Sequence, residues 1–378
     1  MKNSIISLVI SFVMINIAFG AEDMKTYLLE FKTNLTPYQK KQIGQVLSNV
    51  DLNSWKVKLN NKQLRLLKKL NVFSYIEEDT ITYLDKPIAE NKMFNSISAN
   101  DWHLQKVNAY EAWKVSEGNK NTVIAICDSG INNQLKQFSN RVLSGHNFID
   151  NDSDTSPNTN HGTAVAGFAA SAGNGTIGSQ GIAPKVSILP GKIVTTKGGV
   201  PTSAMLGCIR WAADKGAKVI NVSMTGVNNK SSHSAAKYAY KKGAVVVWAG
   251  GNQNWRTKWK DKREILAVAA SDFDDNRYYA AGGRYGSNTG HFVDITAPGE
   301  DVYHLNRDGS YGRGNGTSYS APIVTGVLAL MFSVNPKLTP EMAIEILLES
   351  SYDLNNEWFF GSGLVDAKKA LLLTKGTL

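Results

Sequence analysis

The stretch AKVINVSMTGVNNKSSHSAAKYAYKKGAVVVWAG (217–250) decides the fold. Its ends, AKVINVSM (217–224) and GAVVVWAG (243–250), are short continuous apolar runs, the pattern of strands buried on both faces. Between them Ser231–Lys242 has helical spacing. Two such strands joined by a helix make a parallel crossover unit. The alternation continues outward. TVIAIC (122–127), KVSIL (185–189), ILAVAA (265–270) and FVDITA (292–297) read as strands, and Thr163–Ala172, Thr202–Lys215 and Ser318–Phe332 as helices. The expectation is an α/β domain over 93–378, with helices covering a central, mainly parallel sheet.

Composition agrees. At 378 residues, 42% apolar and 19% charged, the chain can bury a large core, which excludes disorder, collagen and coiled coil. The net charge of +9 comes from Lys and Arg spread along the chain without a recognisable nucleic-acid module, so no nucleic-acid partner is expected. Two cysteines, Cys127 and Cys208, are too few for a disulfide framework. Both lie in apolar stretches, so buried free thiols are expected, with a single disulfide as the alternative.

The N-terminus points to export. Lys2 precedes the apolar run Ile5–Phe19, and Ala18-Phe19-Gly20 places small residues before Ala21. Residues 1–20 therefore read as a secretory signal peptide. No other stretch has the length of a membrane span, and no Cys follows the cut to carry a lipid. The expected location is extracellular or periplasmic. Residues 21–92 form a separate Lys- and Leu-rich unit: strand Thr26–Lys32, helix Pro37–Ser48, strand Ser54–Leu59, helix Lys62–Leu70, strand Phe73–Leu84. Thr36 and Asn60-Asn61 supply helix caps. This is a small α+β, ferredoxin-like layout, and the polar run between Asp85 and Asp101 reads as an exposed linker.

In a parallel sheet, functional groups gather at the carboxyl ends of strands. Asp128 follows such a strand in CDSG, His161 opens a helix in NHGTAVAG, Asn252 follows VVVWAGG, and Ser318 lies in GNGTSYSAP at a helix start. Taken singly, each has a bland reading as a turn, cap or structural residue. Jointly they supply a nucleophile, a base, an acid to orient the base, and an amide donor, the set needed for acyl transfer. Gly314 and Gly316 are expected to let the main chain approach a ligand closely.

With these residues in order, the chain resembles the subtilisin-like (S8) serine proteases. VIAICDSGI, HGTAVAG, GIAPKVSIL, AKVINVSM, WAGGN, DITAPGEDV, GTSYSAPIVTG and FGSGLVDAKKAL carry the resemblance. It implies a secreted endopeptidase with Ser318 as nucleophile, His161 as base, Asp128 orienting it, and Asn252 with the Ser318 N–H as oxyanion hole. Ser223, Met224 and Thr225 would pair with the substrate, and Ala249, Gly250 and Gly251 would wall the primary pocket. Residues 21–92 would be an inhibitory proregion removed by self-cleavage. The substrates implied are proteins or peptides, the active form a monomer, and the chemistry free of cofactor.

The sequence departs from the family at Thr225 (commonly Gly), Tyr319 (commonly Met) and Ala164 (often His). The run QNWRTKWKDKRE (253–264) replaces the usual floor of the specificity pocket, so the preferred substrate residue is not carried over. Trp255 and Trp259 could equally line the cleft or pack on the surface. The acids of Asp150–Asp154 lack an EF-hand pattern. Asn174–Ser179 resembles a family calcium loop with Gly175 in place of a key Asn, so structural calcium stays open with no ligands assigned. The rivals are a catalytically silent binding protein on the same fold, which the complete residue set disfavours, and an esterase using the same triad, which a peptide proregion disfavours.

Overall fold

The computed structural model describes residues 24–84 and 101–378, apart from 34, 45–47, 50–53, 174, 176–178, 260 and 281. The expected signal peptide and the run 85–100 lie outside the described residues. The described chain divides into two compact units, one up to Thr82 together with Pro201–Gly207, the other Tyr83–Val200 with Cys208–Leu378.

In the first unit, period-two alternation builds an antiparallel sheet. Tyr27, Leu29 and Phe31 of β1 (Lys25–Phe31) and Trp55, Val57 and Leu59 of β3 (Ser54–Leu59) all enter one core. β2 (Ser48–Asn49) and β4 (Phe73–Glu78) complete the order β2-β3-β1-β4. Helices α1 (Pro37–Gly44) and α2 (Asn61–Lys69) connect the strands, giving the β-α-β-β-α-β order of a ferredoxin-like unit. Asn60 caps α2 through a reciprocal box with Gln63. The single strand expected over Phe73–Leu84 is instead interrupted after Glu78 and resumes only at Ile81–Tyr83. There Asp79 donates its N–H to Thr26 O, and Thr80 turns back onto Glu78 O.

In the second unit the six apolar runs, joined by the short strand at His146–Asn147 that the pattern did not indicate, make seven parallel strands: β5 (Val123–Asp128), β6 (His146–Asn147), β7 (Ser187–Lys192), β8 (Val219–Val222), β9 (Val245–Ala249), β10 (Ile265–Ser271) and β11 (Ile295–Pro298), in the order β11-β10-β9-β8-β5-β7-β6. Every residue of β7 to β11 is buried, which requires helices on both faces. The covering helices include α3 (His161–Ala170), α5 (Lys230–Lys241) and α6 (Thr317–Val334), and from Cys208 onward α4 (Thr202–Asp214) also belongs to this unit. This is the expected three-layer α/β architecture. Among the described residues, α6 alone is long and apolar enough to cross a membrane, and it is mostly buried in the core.

The cysteines correct the expectation of free thiols. Cys127, at the end of β5, and Cys208, in α4, form a disulfide with Cα atoms 6.0 Å apart. Gly191 of β7 makes this reach possible. It lies in register with Cys127, and a Cβ at that position would collide with the Cys208 sulfur.

Candidate active site

β5 ends on Asp128, whose carboxylate is wholly buried and therefore needs donors. It accepts the Ser129 N–H at 2.7 Å, and His161 Nδ1 lies 2.9 and 3.0 Å from its two oxygens. The start of α3 is tied to the turn after β5. The Gly162 N–H donates to Ser129 Oγ (2.9 Å), and Thr159 Oγ1 donates to the same oxygen (3.0 Å) while accepting the His161 N–H (3.2 Å). A Cβ at Gly162 would collide with Gly130 O and stand 3.2 Å from Asp128 Oδ1, so only glycine lets the helix begin this close. The ring of His161 thus has Nδ1 committed to the carboxylate, with Nε2 at its other edge.

Ser318 sits in the first turn of α6, where N–H groups lack partners within the helix. Pro322, four residues on, has no N–H to give to the Ser318 carbonyl. That carbonyl instead accepts from Ser223 Oγ at 2.9 Å, and Ser318 Oγ donates to Ser223 O at 3.3 Å. Just beyond β8, the edge Ser223–Thr225 is thereby fixed beside Ser318. Met224 is fixed too, since its carbonyl accepts from Trp248 Nε1 (2.7 Å).

Asn252 follows β9 and is nearly buried. Its Oδ1 accepts both the Thr317 N–H (2.8 Å) and Thr317 Oγ1–H (2.9 Å), and Thr317 Oγ1 accepts the Gly251 N–H (3.0 Å). This orients the amide, turning its donor edge away from Thr317. Gly316, at φ +136°, would place a Cβ 3.0 Å from Asn252 Nδ2, so the approach requires glycine. Gly314 differs from expectation. A Cβ there would collide with the ring of Tyr319, so this glycine accommodates a side chain of the same segment rather than a ligand.

Tyr319 joins the two halves of the site. Its buried ring lies with its centroid 6.0 Å from that of His161, stacks on His304 at 5.2 Å and meets Phe168 at 5.2 Å. Phe168 in turn contacts His103 edge-on. Burial drives the His304 pKa down to about 4 and that of His103 to about 3. Both rings are neutral in the native protein, whereas the unfolded chain protonates them near 6.5. Below that pH the unfolded state binds more protons, so their stabilisation is complete above about 6.5 and lost as pH falls toward 4. Unfolding of the Ser318→Ala protein in urea from pH 7.5 to 4 is expected to show this decline. Replacing both histidines by Gln should flatten the slope, by up to about 1.4 kcal/mol per pH unit for each. An unchanged slope contradicts the assignment.

Asp128 and His161 are thus hydrogen-bonded, Ser318 and Ser223 are doubly linked, and Asn252 is joined to Thr317, the residue before Ser318. Ala249, Gly250 and Gly251 lead into Asn252 and are buried, while Thr225 is half-buried. Trp259 packs on Phe292 with centroids 5.1 Å apart, whereas Trp255 is exposed. The sequence reading passed over Ser129 and Thr317. Their signal was present in D-S-G and G-T-S, where a hydroxyl neighbours each chemical residue.

Among the described residues, no three His, Cys, Asp or Glu side chains converge as a metal site. Asp150 and Asp152 are taken up by Asn147 Nδ2, and Asp154 by the Ser156 N–H. Most of Asn174–Ser179 lies outside the described residues.

The subtilase family (peptidase S8) profile matches residues 119–365. Thermitase of Thermoactinomyces vulgaris is 34% identical over 281 residues, covering 72% of this chain and 96% of its own. A thermophilic serine proteinase of Bacillus sp. strain AK1 is 31% identical over 326 residues, covering 83% and 79%. In three dimensions the chain resembles an epidermin leader peptide processing serine protease of Staphylococcus aureus (TM-score 0.73, 20% identity, 93% of this chain and 99% of that one). A protease of Pseudoalteromonas arctica superposes with a TM-score of 0.64 at 26% identity, covering 73% and 97%. With its parallel sheet, its Asp–His pair and its serine-bearing helix, the chain belongs to the subtilase family and is a subtilisin-like serine endopeptidase.

Proposed function

We propose that this chain is made as an exported, self-processing precursor and hydrolyses protein substrates through an acyl-enzyme on Ser318. The observation that carries the reading is the hydrogen bond from His161 Nδ1 to buried Asp128, in a unit where Tyr319 brings the Ser318 turn against the same imidazole. With Nδ1–H held by the carboxylate, Nε2 is the basic nitrogen. As Ser318 Oγ attacks the scissile carbonyl, its proton passes to Nε2, and Asp128 stabilises the imidazolium. The Asn252 amide and the Ser318 N–H, at the positive end of α6, receive the oxyanion. Collapse of the tetrahedral intermediate breaks the peptide C–N bond, and His161 gives its proton to the leaving amine. Water then repeats the sequence and frees Ser318. Ser223–Thr225 offers an edge for the acyl side of the substrate, and Ala249–Gly251 the facing wall.

Residues 1–20 serve as signal peptide, 21–92 as inhibitory proregion and linker, and 93–378 as the peptidase. The Cys127–Cys208 disulfide supports export, because such bonds persist in oxidising compartments. The test starts from purified 21–378. Over time it should lose roughly seventy residues, and a fluorophosphonate probe should then label Ser318. A chain that stays full length, takes no label and leaves casein intact overturns the proposal.

A further inference from the structure

The segment that follows Asn252 does more than replace a pocket floor. Residues 252–257 are pinned to 277–290. The Gly286 N–H donates to Asn252 O (3.0 Å), the Asn254 N–H to Gly286 O (2.9 Å), the Asn288 N–H to Gly251 O (2.9 Å) and the Thr289 N–H to Trp255 O (2.9 Å). The result is a fixed platform bonded directly to the candidate oxyanion residue. It displays three exposed aromatic rings, Trp255 (56% exposed), Tyr279 (49%) and Tyr285 (39%).

Arginines are interleaved with them. The Arg277 guanidinium lies 5.2 Å from the Tyr279 ring centroid and is held by Asn254 Oδ1 (2.8 Å) and Ser287 O (2.7 Å). Arg284 lies 6.0 Å from the Tyr285 centroid. Arg256 is exposed beside Trp255. Residues 252–257 and 277–286 hold three arginines and no carboxylate. Two of the acids that precede Arg277 are already engaged. Asp272 accepts from the N–H groups of Asp274 and Asn276, and Asp275 pairs with Lys106 at 2.8 Å. Among the described residues, no carboxylate pairs with Arg256 or Arg284.

We propose that this platform is a substrate subsite that selects peptides with acidic residues close to the scissile bond but outside the primary pocket. The inference rests on the endopeptidase reading above. Guanidinium groups recognise carboxylates through paired N–H donors, and rings alongside them add contact area at little entropic cost. Because the platform is bonded to Gly251 and Asn252, a peptide whose carbonyl reaches the oxyanion site passes within its field.

The test uses processed enzyme, titrated with a fluorophosphonate, on fluorogenic octapeptides that share one primary-pocket residue. Flanking positions carry either Ala and Gln or Asp and Glu. At low salt, kcat/KM should be about tenfold higher for the best acidic peptide, with the advantage falling at 0.5 M NaCl. R256E/R284E should invert the acidic-to-neutral ratio. Equal cleavage of both series, or an unaltered ratio in R256E/R284E enzyme that titrates normally, overturns the subsite. Titrated enzyme that cleaves none of the peptides overturns the endopeptidase reading itself.

Discussion

Ser318→Ala is expected to lower kcat about 10⁶-fold and to leave the precursor full length. That size of loss is one measured on subtilisin itself for removal of its nucleophile, and is carried here by family membership. The structure explains why the change should be clean. Ser318 Oγ makes one long bond, 3.3 Å to Ser223 O, so its removal costs at most about 1 kcal/mol of folding stability. Asp128→Asn should behave differently, losing about 10⁴-fold. The isosteric amide keeps the buried shape but favours the wrong imidazole tautomer, so His161 remains in place with its proton on the wrong nitrogen. Asn252 and the backbone N–H at Ser318 survive both substitutions, and in Ser318→Ala they should leave about 10³-fold acceleration over water. Initial rates on a chromogenic peptide, normalised to folded protein by circular dichroism, would check the ranking. A Ser318→Ala enzyme retaining one per cent of wild-type turnover, or precursor that still shortens when purified alone, would remove Ser318 from the mechanism.

The parts legible in the sequence are those that local physics specifies. Continuous apolar runs such as VVVW can be satisfied only inside a covered sheet, and β9 appears where that argument puts it. Asp128 and His161 sit at element ends because buried carboxylates and helix-opening imidazoles have few other places to be useful. What escaped was pairing between distant segments. Cys127 and Cys208 are 81 residues apart, and nothing local to either indicates the other. The decisive clue lay in a third segment, at Gly191, whose missing side chain opens the space. Gly314 carried a similar ambiguity. A glycine signals close approach, but only coordinates reveal that Tyr319, not a ligand, is what approaches. The roles of Ser129 and Thr317 escaped for a related reason, since a hydroxyl's partner depends on which loops meet.

Replacing both cysteines by alanine is expected to lower the thermal midpoint of the peptidase by about 10 °C. In the chain-entropy account, a bridge spanning 81 residues restricts the unfolded ensemble by about 4.5 kcal/mol, and removal of native bridges typically costs 2–5. For a domain of this size, each kilocalorie moves the midpoint by about 2–4 °C. Alanine is the informative replacement. Serine would add two hydroxyls in a place where both cysteines are wholly buried, mixing a desolvation cost with loss of the bridge. Catalysis should be far less sensitive. Cys127 is bonded to Asp128 along the chain, yet the carboxylate is oriented by the Ser129 N–H and His161, both of which the substitution leaves in place. The expected signature is therefore kcat within about threefold at 25 °C and a much shorter half-life at elevated temperature, with melting compared at one scan rate in the Ser318→Ala background to suppress self-digestion. Two thiols titrating in the unsubstituted protein, denatured without reductant, would show that the bridge does not form. A double variant melting within 2 °C of its parent would show that it forms without contributing to stability.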